Sequence, residues 1–255
     1  MPIHVVLDTN APPAIPAGLC ALGIMTKVPQ AGKVKTRLSP PLTPDEAAQL
    51  NTQFLHDLGL SISTATSQAP ARGAGIYTPI GAEAAYDTIL PGAFFLLPQR
   101  GNDFGERLHL AAEDLFKVGF ASVCLVNSDS PTVPASSFVE AARKLAESGD
   151  RIVIGPSDDG GYYLIGLKRP HWRIFEKIDW STERVLEQTL QRAAEIGVEV
   201  HQLPNGFDVD DRVTLQRLCQ ELLGDVAAPV EVAPHTRKLL SEIINREGRE
   251  RIWPM

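Results

Sequence analysis

Four basic side chains, Lys27, Lys33, Lys35 and Arg37, fall within eleven residues of a chain whose formal net charge is −7. That concentration reads as an anion site, because a cation near a phosphate gains most in a partly buried, low-dielectric setting. A solvated basic loop is the simpler alternative. Gly32 is the one glycine of the stretch. A Walker A loop is excluded: Lys27 stands where that pattern needs glycine, and Val34 where it needs Ser or Thr. GxGxxG is absent as well.

Three acidic clusters lie further along. Asp129, in Asn127-Ser128-Asp129-Ser130-Pro131, follows the most apolar short run of the chain. A carboxylate there is placed for a divalent cation, since Mg²⁺ and Mn²⁺ take one or two carboxylates plus phosphate oxygens. A turn or helix cap is the plain alternative. Asp158 and Asp159 precede Gly160, Gly161 and Tyr162. The glycines permit close backbone approach to a ligand, and Asp-Gly equally signals a hairpin turn. Asp208 and Asp210 share one side of an extended chain. Two such carboxylates repel unless a cation or hydrogen bonds hold them. A cap from Asp210 or Asp211 on the next helix accounts for them otherwise.

These residues need elements to position them. Short apolar runs predict strands at 21–25, 75–78, 94–97, 121–126, 151–155, 162–167 and 198–203. Helical spacing predicts helices at 103–118, 134–148, 181–196, 213–223 and 236–245. A capping box at Thr43 with Pro44 at the first helical position opens another, running to about Thr66. Val5, Val6 and Leu7 have strand character, but four nearby prolines favour a loop or tail. Strands alternating with long helices imply an α/β fold: three αβα layers on a mostly parallel sheet. Ligands bind such sheets outside the carboxyl ends of the strands. The basic loop, Asp129 and the Asp208–Asp210 pair all follow strands.

The chain has 255 residues, which fits one large domain at 21–225, preceded by an extension at 1–20 and followed by a helical segment at 226–255. An acidic chain without a long Lys/Arg run argues against nucleic acid as a partner. No apolar run approaches the roughly 20 residues of a membrane span. The first residues lack the pattern of a signal peptide, so the cytoplasm is the expected location. Three scattered cysteines and six scattered histidines suggest neither a disulfide framework nor a zinc site.

Six segments, in order and spacing, carry a resemblance: KVPQAGKVKTRLSPPLTPDEAAQL, GNDFGERL, VNSDSPTVP, GPSDDGGYYLIGL, WSTERVLEQT and DVDDRVTLQRL. Over residues 21–225 the chain resembles the bacterial transferases found beside radical-SAM and selenium-related genes, some of them linked to arsenosugar biosynthesis. A weaker similarity reaches the guanylyltransferases that activate phospholactate and those of the molybdenum cofactor. The resemblance implies a glycosyltransferase-A, nucleotide-diphospho-sugar transferase fold. It implies that Asp129 binds the metal. The Asp-x-Asp of many such enzymes reads Asp129-Ser130-Pro131 here, so Asp208 or Asp210 is expected to supply the second acid. By the same resemblance, the loop holding Lys27, Gly32, Lys33, Lys35 and Arg37 contacts phosphates. Gly105 and Arg107 lie near the nucleotide base. Asp158, Asp159, Gly160, Gly161 and Tyr162 face the sugar or acceptor, with Asp158 or Asp159 as general base. Ser181 and Thr182 read as helix caps.

Two activities fit. A glycosyltransferase would pass a sugar from a nucleotide-diphospho-sugar to a small acceptor, using Mg²⁺ or Mn²⁺. A nucleotidyltransferase would transfer a nucleotide and release pyrophosphate. Family description favours the first. A non-catalytic nucleotide binder is the third possibility, and a homo-oligomer is among the candidate assemblies.

Overall fold

The computed structural model describes residues 3–13 and 15–254. Its strands are β1 (Val5–Val6), β2 (Cys20–Lys27), β3 (Ala71–Thr78), β4 (Phe95–Pro98), β5 (Ser122–Val126), β6 (Arg151–Pro156), β7 (Tyr162–Leu167) and β8 (Glu199–Gln202). They form one sheet in the order β1-β4-β3-β2-β5-β7-β6-β8. Every pairing is parallel except those of β7 with β5 and β6. The exception has a local cause. Only residues 157–161 join β6 to β7, and so short a connection reverses the chain rather than crossing over.

The helices are α1 (Pro44–Thr66), α2 (Phe104–Lys117), α3 (Ala135–Ala146), α4 (Val185–Glu195), α5 (Arg212–Leu223) and α6 (Pro234–Glu247). Side chains alternate across each strand. In β5, Cys124 and Val126 therefore join a core with Leu55, Leu58 and Ile62 of α1 and Phe138 of α3. Val123 and Leu125 join the opposite core with Leu108, Ala112 and Leu115 of α2. Both faces are covered, which is the three-layer α/β architecture expected. It is also why β5, buried at all five positions, is apolar throughout Val123–Val126.

A third cluster joins Leu50 and Phe54 of α1, Leu215, Leu218 and Leu222 of α5, Leu240 and Ile243 of α6, and Ile252 and Trp253. Leu38 is fully buried in it. Leu38 ends a short 3-10 turn, Thr36–Leu38, within the basic loop. The C-terminal helices thus fix where that loop sits.

Several boundaries differ from expectation. Val5–Val6 pairs in parallel with Phe95–Leu96 despite the prolines after it. Buried His4 secures it, its ring nitrogens lying 3.0 Å from the Phe94 carbonyl and 3.1 Å from that of Tyr86. The helix expected from residue 181 starts at Val185. Ser181, with φ 64°, belongs to a preceding turn rather than to a cap. Among the described residues no helix is long and apolar enough to cross a membrane.

Candidate active site

The C-terminal ends of β2 and β5 and the extended stretch after β8 meet at one edge of the sheet. The Val209 amide donates to the Asp129 carbonyl at 2.9 Å, tying the last stretch to the turn after β5. Asp129, Asp208 and Asp210, far apart in sequence, border one cleft of about 670 Å³. A smaller polar lobe of about 280 Å³ opens beside it, lined in part by Lys27, Thr36, Asn51 and Asp129.

Lys35 occupies the centre. Its Nζ lies 2.6 Å from Asp129 Oδ1, 3.0 Å from Asp210 Oδ1 and 2.8 Å from the Val209 carbonyl oxygen. An ammonium has three protons to donate, and three oxygens surround this one. Its side chain is only 5% exposed. Burial alone would depress the Lys35 pKa, but the charges of Asp129 and Asp210 outweigh it and the net shift is upward. The backbone of Lys35 is left-handed, φ 47° and ψ 37°, which turns the side chain back into the protein. Arg37 donates through Nη2 to the other oxygen of Asp210 at 3.0 Å, from a largely exposed position.

Asp208 is held differently. Asn127 Nδ2 and Ser130 Oγ both donate to its Oδ1, at 2.8 Å and 2.5 Å. Burial raises the Asp208 pKa to about 6; the Ser130 bond opposes the rise, and the charges of Asp129 and Asp159 add to it. Asp129 Oδ1 also receives the Ser128 hydroxyl at 3.2 Å. Among the described residues, neither Oδ2 of Asp129 nor Oδ2 of Asp208 accepts a hydrogen bond.

Those two free oxygens test whether a metal fits. Among the described residues no group of three or more His, Cys, Asp or Glu could by itself hold a metal ion. A divalent cation that takes two protein carboxylates and completes its shell with phosphate and water needs no such group. Asp129 and Asp208 repel one another, and a cation would relieve that repulsion. The donor set therefore fits Mg²⁺ or Mn²⁺. Asp210, the other expected acid, is paired with Lys35 and Arg37.

The remaining expected residues divide. Lys27, Arg107, Gly161, Tyr162 and Asp159 border the cleft. Asp159 Oδ1 accepts the Gly161 amide at 2.9 Å. Asp158 turns the other way, to Arg217 Nη1 at 2.6 Å and to the Asn205 amide, and does not border the cleft. The expectation treats two adjacent acids alike, whereas the turn sends them to opposite sides. Gly160, with φ 85°, meets the next loop: a Cβ there would lie 2.1 Å from the Glu183 carbonyl oxygen. Gly105 leaves room for Trp180, whose Nε1 would be 2.8 Å from an added Cβ. Neither glycine borders the cleft. Lys33 and Gly32 lie on the exposed turn of the basic loop, and the Lys33 carbonyl accepts Lys27 Nζ at 3.4 Å.

Sequence reading misses Gln99, Phe104 and Trp180, which border the cleft. Phe104 and Trp180 pack edge to face at 5.0 Å, with Phe104 half exposed. A half-exposed aromatic at the start of a helix is a usable signal, but only once the helix is known to open on the site.

A family model, "Uncharacterized protein conserved in bacteria (DUF2064)", matches residues 52–182, half of the chain. This chain belongs to that family. Among solved structures, this DUF2064 member is similar to a proposed nucleotide-diphospho-sugar transferase from Desulfovibrio desulfuricans G20. The identity is 29% and the TM-score 0.76, over 91% of this chain and 98% of that one. More distant are a cytidylyltransferase from Leptospira borgpetersenii, at 11% identity and TM-score 0.49 over 94% and 98% of the two chains. A manganese complex of Rv0371c from Mycobacterium tuberculosis H37Rv stands at 14% and 0.45 over 78% and 97%. No curated protein matches the sequence. The fold is that of the nucleotide-diphospho-sugar transferases.

Proposed function

We propose that this protein is a glycosyltransferase that moves a sugar from a nucleotide-diphospho-sugar to a small-molecule acceptor, with Mg²⁺ or Mn²⁺ as its metal. The observation that carries the reading is the charge accounting of the basic loop. Lys35 is consumed by Asp129 and Asp210, and Arg37 is partly neutralised by Asp210. Lys33 sits outside the cleft, which leaves Lys27 as the loop's unneutralised cation beside it. That suits a diphosphate sharing a divalent cation better than a triphosphate. The likeness to the Desulfovibrio protein supports the same reading.

In this scheme Asp129 and Asp208 would hold the cation, while Lys35 holds the Asp129 carboxylate in place. Bound there, the cation supplies charge neutralisation for the departing diphosphate. Lys27 and Arg37 reach the same phosphates. Asp159 takes the proton of the acceptor hydroxyl as its oxygen bonds to the anomeric carbon and the carbon–diphosphate bond breaks. Tyr162 borders the cleft beside Asp159, on the acceptor side of this scheme.

A second reading, nucleotidyl transfer, has one observation in its favour. The 280 Å³ polar lobe beside Lys27, Thr36 and Arg37 has room for the terminal phosphates of a nucleoside triphosphate. The deciding experiment scores NDP release from NDP-sugars against pyrophosphate release from NTPs, each with Mn²⁺ and Mg²⁺. NDP release that Asp129→Asn abolishes is the expected result. Pyrophosphate release would replace this reading with the second.

A further inference from the structure

Gln99 follows β4 at the carboxyl edge of the sheet, and nothing in the scheme above uses it. Its backbone amide donates to the Tyr77 carbonyl at 2.8 Å. Its side-chain Nε2 donates twice, to the Thr26 carbonyl at 3.0 Å and the Ile76 carbonyl at 2.7 Å. Those acceptors lie on β2 and β3, so one side chain spans the ends of three neighbouring strands.

The two contacts also fix which way the amide faces. Nitrogen and oxygen of a glutamine amide are ordinarily hard to tell apart, and the hydrogen-bond network decides. Here a flipped amide would set its oxygen against two carbonyl oxygens and lose both bonds. Both Nε2 protons are committed. Oε1 has no partner among the described residues, and Gln99 borders the cleft. The cleft, which half-exposed Phe104 and Lys27 also border, therefore carries a fixed, purely accepting oxygen.

We infer that Gln99 is a specificity-determining residue that reads the nucleotide base, Oε1 accepting an N–H from the base edge while Phe104 offers a face for stacking. The inference rests on the nucleotide-donor reading above. The ligand class follows from the chemistry. A pinned acceptor rewards an imide or amino N–H, such as uracil N3–H, guanine N1–H, cytosine N4–H or adenine N6–H, and penalises a group that cannot donate. Leaving the oxygen unmatched in a closed site would cost a full desolvation rather than one weak bond.

The test begins with the wild-type chain. UDP, GDP, CDP and ADP are titrated with Mn²⁺ present, each against its edge-methylated counterpart: N3-methyl-UDP, N1-methyl-GDP, N4,N4-dimethyl-CDP and N6,N6-dimethyl-ADP. For the tightest of the four, methylation is expected to weaken binding about tenfold. In Gln99→Met the parent should weaken to near the methylated form, collapsing the gap. If wild type binds both forms alike, or Gln99→Met keeps the full gap as simple crowding by the methyl group would, the inference falls and the transferase reading stands. If none of the four diphosphates binds, the transferase reading itself fails and takes this inference with it.

Discussion

Lys35 Nζ and Asp129 Oδ1 stand 2.6 Å apart, an ion pair formed across the mouth of the sheet between residues ninety-four positions apart. The same ammonium touches Asp210 and the Val209 carbonyl. Lys35 is thus a tie between two loops, its ammonium matched to two carboxylates and a carbonyl.

Replacing it should show this. Lys35→Met leaves Asp129 and Asp210 facing one another without a counter-ion. The metal-free protein should lose roughly 1–3 kcal/mol, less than a fully buried pair would because both acids are about one-third exposed. Thermal melts in EDTA measure the loss, and Mn²⁺ should restore more stability to the variant than it adds to wild type. An unchanged melting temperature with weakened diphosphate binding would make Lys35 a phosphate ligand instead.

Asp129→Asn and Asp208→Asn should each remove the Mn²⁺ dependence of nucleotide binding while the protein stays folded, because each deletes one of the two free carboxylate oxygens. Asp210→Asn should keep most of that dependence. Nucleotide affinity measured with and without Mn²⁺ separates the three. Equal losses from all of them would place the cation on Asp210 as well.

Asp158 and Asp159 should behave as opposites. Asp159→Asn is expected to cut kcat by about 10²–10⁴ with donor KM little changed, as for loss of a general base. Asp158→Asn should leave kcat alone and cost at most about 1 kcal/mol, since its Arg217 partner is half exposed. Steady-state kinetics on the two variants decide it.

Glu46 predicts a pH effect remote from the site. Its carboxylate meets Arg246 and Arg251 and caps α1 through Thr43. Burial would raise its pKa, but the bonds from Arg251 and Thr43 prevail and hold it below the usual carboxylate range. A depressed carboxylate contributes stability that is complete above its unfolded pKa of about 4.5 and is lost as pH falls through the folded value. Glu46→Gln should therefore lower stability at pH 7, and the gap to wild type should shrink on acidification below about pH 4.5. Denaturant melts across pH 3–7 would show it, and a constant gap would remove Glu46 from the acid response.

Much of this is legible in the sequence. Burial on both faces makes Val123–Val126 of β5 apolar, and the rule that ligands sit beyond strand ends points to Asp129, Asp208 and the basic loop. What sequence could not carry was direction. Adjacent Asp158 and Asp159 are alike in a string of letters, and only the turn at Gly160 sends one to Arg217 and the other to the cleft. Lys35 reads as one cation among four until its left-handed backbone aims it inward. Gln99 has no signature at all, because its meaning lies in two carbonyls on strands distant in the chain.

Leu38 returns in a different light. It seats the basic loop in a cluster completed by Ile243, Ile252 and Trp253, about two hundred residues downstream. A growing chain that has reached residue 225 already contains every strand and every acid named here. The turn that holds Leu38 packs against α1 and α5, both already made, while Arg251 has yet to reach the Pro41 carbonyl just beyond the basic loop. The sheet and the first support of the loop can therefore form early, and the C-terminal residues close over them last.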